Sequence, residues 1–303
     1  MPNRSNPFGR AVFYILLAIL LFDLQGVIIK VLGDRYPVQQ LASFRNVFGL
    51  LPSIIVLMLS RDWHRNGRQL KIRQWRLGLM RGLSIAIAQF CFYLSITKMA
   101  LATASTLTFI GPVLITMLSV PLLKSRVGIW RWSAVILGFV GVLLIMSPGQ
   151  ELFSFYSLLP VGAAFGYSLS TVCVRLLDDS VPTALANMYA SVGALAGSLL
   201  LLVVTTGYLS VTSAIDWILL FTMGMVGGFA VLCLITAYRL AKPSSLSPFE
   251  YFGIPFSFVL GWVFFDEAPF EQLIPGVFLI VAAGMLIAWR EQRNQPLGKT
   301  PDV

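Results

Sequence analysis

The chain is 303 residues long, 57% hydrophobic and 12% charged, with a mean hydropathy of +0.82 and a formal net charge of +9. So few charges cannot form the solvated surface of a soluble protein of this size, which excludes a cytosolic enzyme or binding domain. The positive excess sits mostly in short connections between apolar runs, so it reports membrane topology, and the nucleic-acid reading of a basic protein loses its force.

A bilayer core of about 30 Å needs ~20 apolar residues per helix. Ten segments meet that need: Ala11–Leu32, Val38–Leu59, Trp75–Ile96, Ala102–Leu123, Gly128–Ser147, Ser154–Leu177, Pro182–Thr206, Trp217–Tyr238, Ser244–Phe265 and Leu273–Trp289. The first follows Arg4 and Arg10, as in a signal peptide, but its apolar run is too long and lacks a small-residue cleavage site, so it reads as a retained helix. With the N-terminus in the cytoplasm, all Lys and Arg residues lie inside except Lys30, Arg35 and Lys98 near the outer face and Arg45 and Arg81 within helices. The second connection alone carries Arg61, Arg65, Arg68, Lys71, Arg73 and Arg76. The expected topology is N-in and C-in.

The fourth and ninth segments each carry a proline in mid-span, Pro112 and Pro255. They end in opposite charges, Lys124 and Arg126 against Asp266 and Glu267. If basic flanks stay inside, the two helices run opposite ways. The offset between the prolines also pairs Phe109 with Phe252, Val120 with Val263, Gly141 with Gly284 and Leu143 with Leu286. Five helices per half, an odd number, force the second copy to start on the other side. The expected fold is an all-α polytopic membrane protein of ten transmembrane helices, two inverted five-helix repeats (1–148 and 149–303) around a central cavity. Inverted repeats are a transporter architecture. Glycines spaced at i, i+4 (Gly78 and Gly82, Gly162 and Gly166, Gly193 and Gly197, Gly224 and Gly228) mark close helix contacts.

Charges inside a bilayer are expensive unless paired or hydrated. Asp23 lies about 18 Å from the inner face and Arg45 about 10 Å below the outer one, at a rise of about 1.5 Å per residue. Equal depth in consecutive helices predicts an ion pair or a shared hydrated network. Lys30 and Arg81 are near enough to helix ends to snorkel. The expected substrate-binding set is Gln89, Tyr93, Thr106, Tyr167, Ser168, Thr171, Glu250 and Tyr251, near the midplane or beside the second proline. Hydroxyls, amides and aromatic faces with few fixed charges suit a small, neutral or zwitterionic solute. Pro112 and Pro255 are the expected hinges, each removing a backbone hydrogen bond. Leu107 occupies the place of Glu250 in the first copy, where the repeats cease to be equivalent.

No cofactor is expected. Cys91, Cys173 and Cys233 fall inside helices without a disulfide or metal spacing. The one histidine, His64, lies in the basic second connection, so Gly166-Tyr167-Ser168 has no buried base, and no HExxH pair is present for zinc. An intramembrane enzyme is therefore disfavoured.

Gly26-Val-Ile-Ile-Lys30 followed by Pro37 and Arg45, Phe109-Ile-Gly-Pro112, Phe252-Gly-Ile-Pro255 and Phe264-Phe265-Asp266-Glu267 together resemble the EamA branch of the drug/metabolite transporter superfamily, over essentially the whole chain. The first copy departs from that pattern, with Lys124-Ser125 in place of the usual Gly-Glu pair. The resemblance implies a bacterial inner-membrane carrier whose first, third, fourth, sixth, eighth and ninth helices surround the cavity, working by alternating access. The likeness is to YddG-type exporters of aromatic and other neutral amino acids. Carriers of purines or nucleosides, S-adenosylmethionine or riboflavin-like metabolites are the alternative. The expected partners are a small solute, the lipid bilayer and a second copy of the chain. Proton coupling through Glu250 or Asp23 and downhill transport both stay open.

Overall fold

The computed structural model describes residues 7–59, 63–64, 70, 72–123, 129–146, 155–174, 176–177, 181, 183–205, 207–240, 246, 249–267 and 270–293. In chain order the helices are α1 (Pro7–Gly33), α2 (Val38–Leu59), α3 (Trp75–Lys98), α4 (Leu101–Thr108), α5 (Gly111–Leu123), α6 (Ile129–Met146), α7 (Leu158–Val174), α8 (Thr183–Thr205), α9 (Ala214–Leu240), α10 (Gly253–Phe265) and α11 (Phe270–Arg293), with a 3-10 turn at Phe155–Ser157. No strand occurs among the described residues. Helices are what lipid demands, because each closes its own backbone hydrogen bonds. Six stretches are long and apolar enough to cross a membrane: Phe8–Gly33, Val38–Leu59, Trp75–Lys98, Leu101–Leu122, Ala184–Thr205 and Ala214–Ala237. Ile136–Ile145 and Gly253–Phe265 are shorter apolar helices. Large side chains such as Leu59, Val203, Val204 and Phe278 are exposed. A lipid-facing surface carries such residues without penalty.

The basic flanks Arg61, Arg65, Arg68, Lys71, Lys124 and Arg126 lie outside the described residues, as do Pro182, Ser247, Pro248 and the boundary between the two expected repeats.

α1 packs on α9, α3 on α7 and α8, α2 on α8 and α9, α6 on α11, and α4 on α10. The tightest crossings are made where side chains are absent. A Cβ on Gly82 (α3) would lie 2.6 Å from the Gly193 Cα on α8, and one on Gly228 (α9) 2.8 Å from the Gly49 carbonyl on α2. Such contacts replace the missing hydrophobic force between helices in lipid with dispersion.

The expected mid-helix kinks are helix breaks. The fourth segment divides at Phe109 and Ile110 into α4 and α5, and the chain turns at Tyr251 and Phe252 before α10. Short turn bonds carry the chain across: Phe109 N–H to the Thr106 carbonyl at 3.1 Å, and Ile254 N–H to the Tyr251 carbonyl at 3.1 Å. Pro112 is then the second residue of α5 and Pro255 the third of α10. In a first turn the N–H has no helical acceptor, so proline removes nothing there.

Loops tie the ends together. Arg35 Nη1 donates to Asp216 Oδ1 at 2.8 Å, and the Tyr36 hydroxyl to Asp216 Oδ2 at 2.7 Å. That hydrogen bond pushes the Tyr36 hydroxyl above its ordinary pKa. After α10, Asp266 adopts a left-handed conformation (φ 55°), and the Glu267 N–H returns to the Gly261 carbonyl at 3.1 Å. This reversal is a helix C-cap, and it aims Glu267 at Lys30.

Candidate functional site

The two helix breaks meet. The rings of Phe109, at the end of α4, and Tyr251, before α10, have centroids 5.7 Å apart. A Cβ on Gly253 would sit 2.6 Å from the Phe109 ring and 3.0 Å from Ile19 of α1, so glycine is needed for the break to close against its mate. Ser168 of α7 donates to the Gly111 carbonyl at 3.0 Å, which ties α7 to the start of α5.

A polar network joins α1, α2 and α3. Gln25 Nε2 donates to the Tyr93 hydroxyl at 2.9 Å. Asn46 and Gln89 exchange two amide bonds, of 2.9 and 3.1 Å. Arg45 Nη1 donates to Asn46 Oδ1 at 3.2 Å. On α9, a Cβ on Gly227 would meet Gln25 Oε1 and lie 3.2 Å from Arg45 Nε. Gln25 Oε1 and Arg45 Nε are buried without a partner among the described residues, as are Asp23 Oδ2, Thr103 Oγ1 and Ser105 Oγ. Buried polar atoms are normally satisfied. The five orphans belong to α1, α2 and α4 and are the buried groups left to bond a solute or water.

The residues expected from sequence divide. Gln89 and Tyr93 join the network, and Tyr251 stands at the meeting of the breaks. Tyr167 is half-buried on α7. Glu250 is half-buried next to Tyr251. Ser168 spends its hydrogen on Gly111. Thr106 and Thr171 bond their own helices, to the Ala102 carbonyl at 2.7 Å and the Tyr167 carbonyl at 2.9 Å, and Thr171 is exposed. Thr171 therefore faces away from the interior, a consequence of its place on the helix that depth along the sequence does not reveal.

Asp23 and Arg45 do not form the expected pair. Among the described residues the ion pairs are Lys30 with Glu267 and Arg35 with Asp216. The reason lies in helix rotation. Gln25 faces Tyr93 and Arg45, and Asp23, two positions earlier, is turned about 200° round the same helix. α1 stands between the two charges. Nor do Lys30 and Arg81 simply snorkel. Lys30 pairs with Glu267 and donates to the Met99 carbonyl at 2.9 Å. Arg81 Nε bonds the Ser170 carbonyl at 3.2 Å and hydroxyl at 3.1 Å, tying α3 to α7.

Sequence reasoning missed Gln25, Asn46, Thr103 and Ser105. They carry the same signal that singled out Gln89 and Thr106, an amide or hydroxyl within an apolar span, and depth along the sequence does not tell which of these groups face inward.

A family model described as the EamA-like transporter family matches residues 9–147 and again 154–289. The chain is 23% identical to an S-adenosylmethionine uptake transporter of Rickettsia prowazekii, over 97% of both chains. It is 28% identical to a riboflavin transporter of Vibrio cholerae, over 57% of this chain and 58% of that one. A solved crystal structure superposes with a TM-score of 0.65 at 18% identity, covering 95% of this chain and 99% of the other.

Proposed function

Because this chain belongs to the EamA-like transporter family of the drug/metabolite transporter superfamily, we propose that it is a ten-span secondary carrier, N-in and C-in, that moves a metabolite with a flat ring system across a bacterial inner membrane by alternating access. The observation that carries this reading is the meeting of two broken helices beside orphaned polar atoms. Irregular backbone at membrane depth is tolerated where it is buried in protein or lines a cavity, and discontinuous helices build the midplane sites of secondary transporters.

Inverted repeats at 1–148 and 149–303 are supported by the packing. Exchanging the halves turns the α1 on α9 contact into α7 on α3, and α2 on α9 into α8 on α3, while α2 on α8, α6 on α11 and α4 on α10 map onto themselves. The double match of the family model supports the same division. Pro112 and Pro255 then act as hinges by starting the half-helices that swivel at the breaks. The two ends of α1 have separate closures. Lys30 meets Glu267 at the expected outer end, and Ala11 and Ile15 pack with Ala237, Leu246 and Phe249 at the inner one. Such a pair of closures suits alternating access.

The expected export of aromatic amino acids draws no support from relatives named for S-adenosylmethionine uptake and riboflavin transport. A metabolite of that kind, an aromatic heterocycle with a polar appendage, fits the rings of Phe109, Tyr251, Tyr93 and Tyr167 beside the amide network. Thermal shift of purified protein in nanodiscs against S-adenosylmethionine, riboflavin, phenylalanine and tryptophan tests this, followed by uptake into proteoliposomes with and without a pH gradient. Stabilisation and saturable uptake of one of the first two is expected. A response to the amino acids alone would overturn the substrate reading, and no flux of any compound would overturn the carrier itself.

A further inference from the structure

We propose that Asp23 and Ser105 form a subsite for a positively charged group of the solute, so that the carrier selects a cationic metabolite over its neutral counterpart; this rests on the carrier reading above. Contacts at the two ends of the faces that carry them bring Asp23 of α1 and Ser105 of α4 to the same side. At one end, a Cβ on Gly26 would lie 3.2 Å from Leu101 of α4; at the other, Ile19 and the Phe109 ring both close on Gly253. Ile19, Asp23 and Gly26 share one face of α1, and Leu101, Ser105 and Phe109 share one face of the antiparallel chain. Asp23 and Ser105 are the midpoints of those two faces.

Both are buried, 9% and 6% exposed, and Asp23 Oδ2 and Ser105 Oγ have no partner among the described residues. A buried carboxylate needs a counter-charge or a proton. Neither nearby cation pairs with Asp23: Lys30, two turns along the same face, is held by Glu267 and the Phe265 ring, and Arg45, which donates to Asn46, lies across α1. The Phe109 and Tyr251 rings at the lower end of the same face add a surface that favours cations. A sulfonium centre completes this arrangement, and a neutral thioether or flavin does not.

The test uses the full chain in nanodiscs and proteoliposomes with three probes: S-adenosylmethionine; S-adenosylhomocysteine, which keeps the zwitterionic amino-acid group but has a neutral thioether in place of the sulfonium; and riboflavin. The wild type should bind the sulfonium compound at least tenfold more tightly than the thioether. D23N should erase that preference while leaving thioether affinity within about twofold, the expectation for loss of one charge-specific contact, and S105A should reduce the preference by about threefold. Retained preference in D23N, equal weakening of both ligands, or loss only of pH-gradient dependence would overturn the inference, the last by making Asp23 a proton site. Riboflavin uptake without binding of the sulfonium compound would overturn it while the carrier reading stood. Flux of none of the three would remove both. Should D23N fail to fold, judged by size-exclusion chromatography, the S105A comparison carries the same decision.

Discussion

Removing the Glu267 carboxylate should open the end of the protein that faces outward in the proposed topology. Lys30 and Glu267 are only 13% and 26% exposed, so their pair stands between the exposed and buried regimes. Exposed pairs contribute about 0.2–1 kcal/mol, and breaking buried ones costs about 3–5 kcal/mol, which brackets this pair at about 2 kcal/mol. Glu267 Oε2 also accepts the Leu101 N–H at 3.1 Å, capping α4, which adds about 1 kcal/mol. E267A should therefore shift the closed-to-open balance by about 3 kcal/mol, roughly a hundredfold, and E267Q, which can still accept from Leu101, by about 2 kcal/mol. The readout is the labelling rate of A104C by a membrane-impermeant maleimide, with Cys91, Cys173 and Cys233 replaced, because Ala104 is 0% exposed in this structure. K30M combined with E267A should show a coupling of at least about 1 kcal/mol. Labelling that changes less than threefold, or effects that simply add, would refute the idea that this contact holds the end shut.

G82A should be severely destabilising, by about 3 kcal/mol, because its Cβ would meet the Gly193 Cα at 2.6 Å and the Ala194 N at 2.7 Å, backbone that cannot retract. G162A, whose nearest neighbour is Cys91 Sγ at 3.7 Å, should be tolerated; equal melting temperatures for the two would disprove the packing argument. N46A strands the Gln89 amide and should lower stability by about 2 kcal/mol, and a double-mutant cycle with Q89A should return a coupling above about 1 kcal/mol. P255A should change stability by no more than about 0.5 kcal/mol, since the proline stands in a first turn. A gain approaching about 3 kcal/mol would instead place Pro255 in a helix interior.

Much of this protein is legible without tertiary information. Composition and apolar run length dictate helices in lipid, because no other open backbone satisfies itself there. Lys and Arg placement gives the expected sidedness, and the matched prolines point to the two segments that prove to be broken. What the sequence withholds is rotational. Depth along a helix is a sum of rises and can be counted from either end, which is how Asp23 and Arg45 come to be expected at similar depth. The side of α1 on which each lies depends on its neighbours, and α1 separates the charges. Lys30 meets Glu267, Gln25 meets Tyr93 and Phe109 meets Tyr251 because antiparallel helices bring distant stretches together at glycine contacts. A chain read in one dimension records which polar groups are costly to bury; only the packed structure decides which of them are satisfied by one another and which are left to meet a solute.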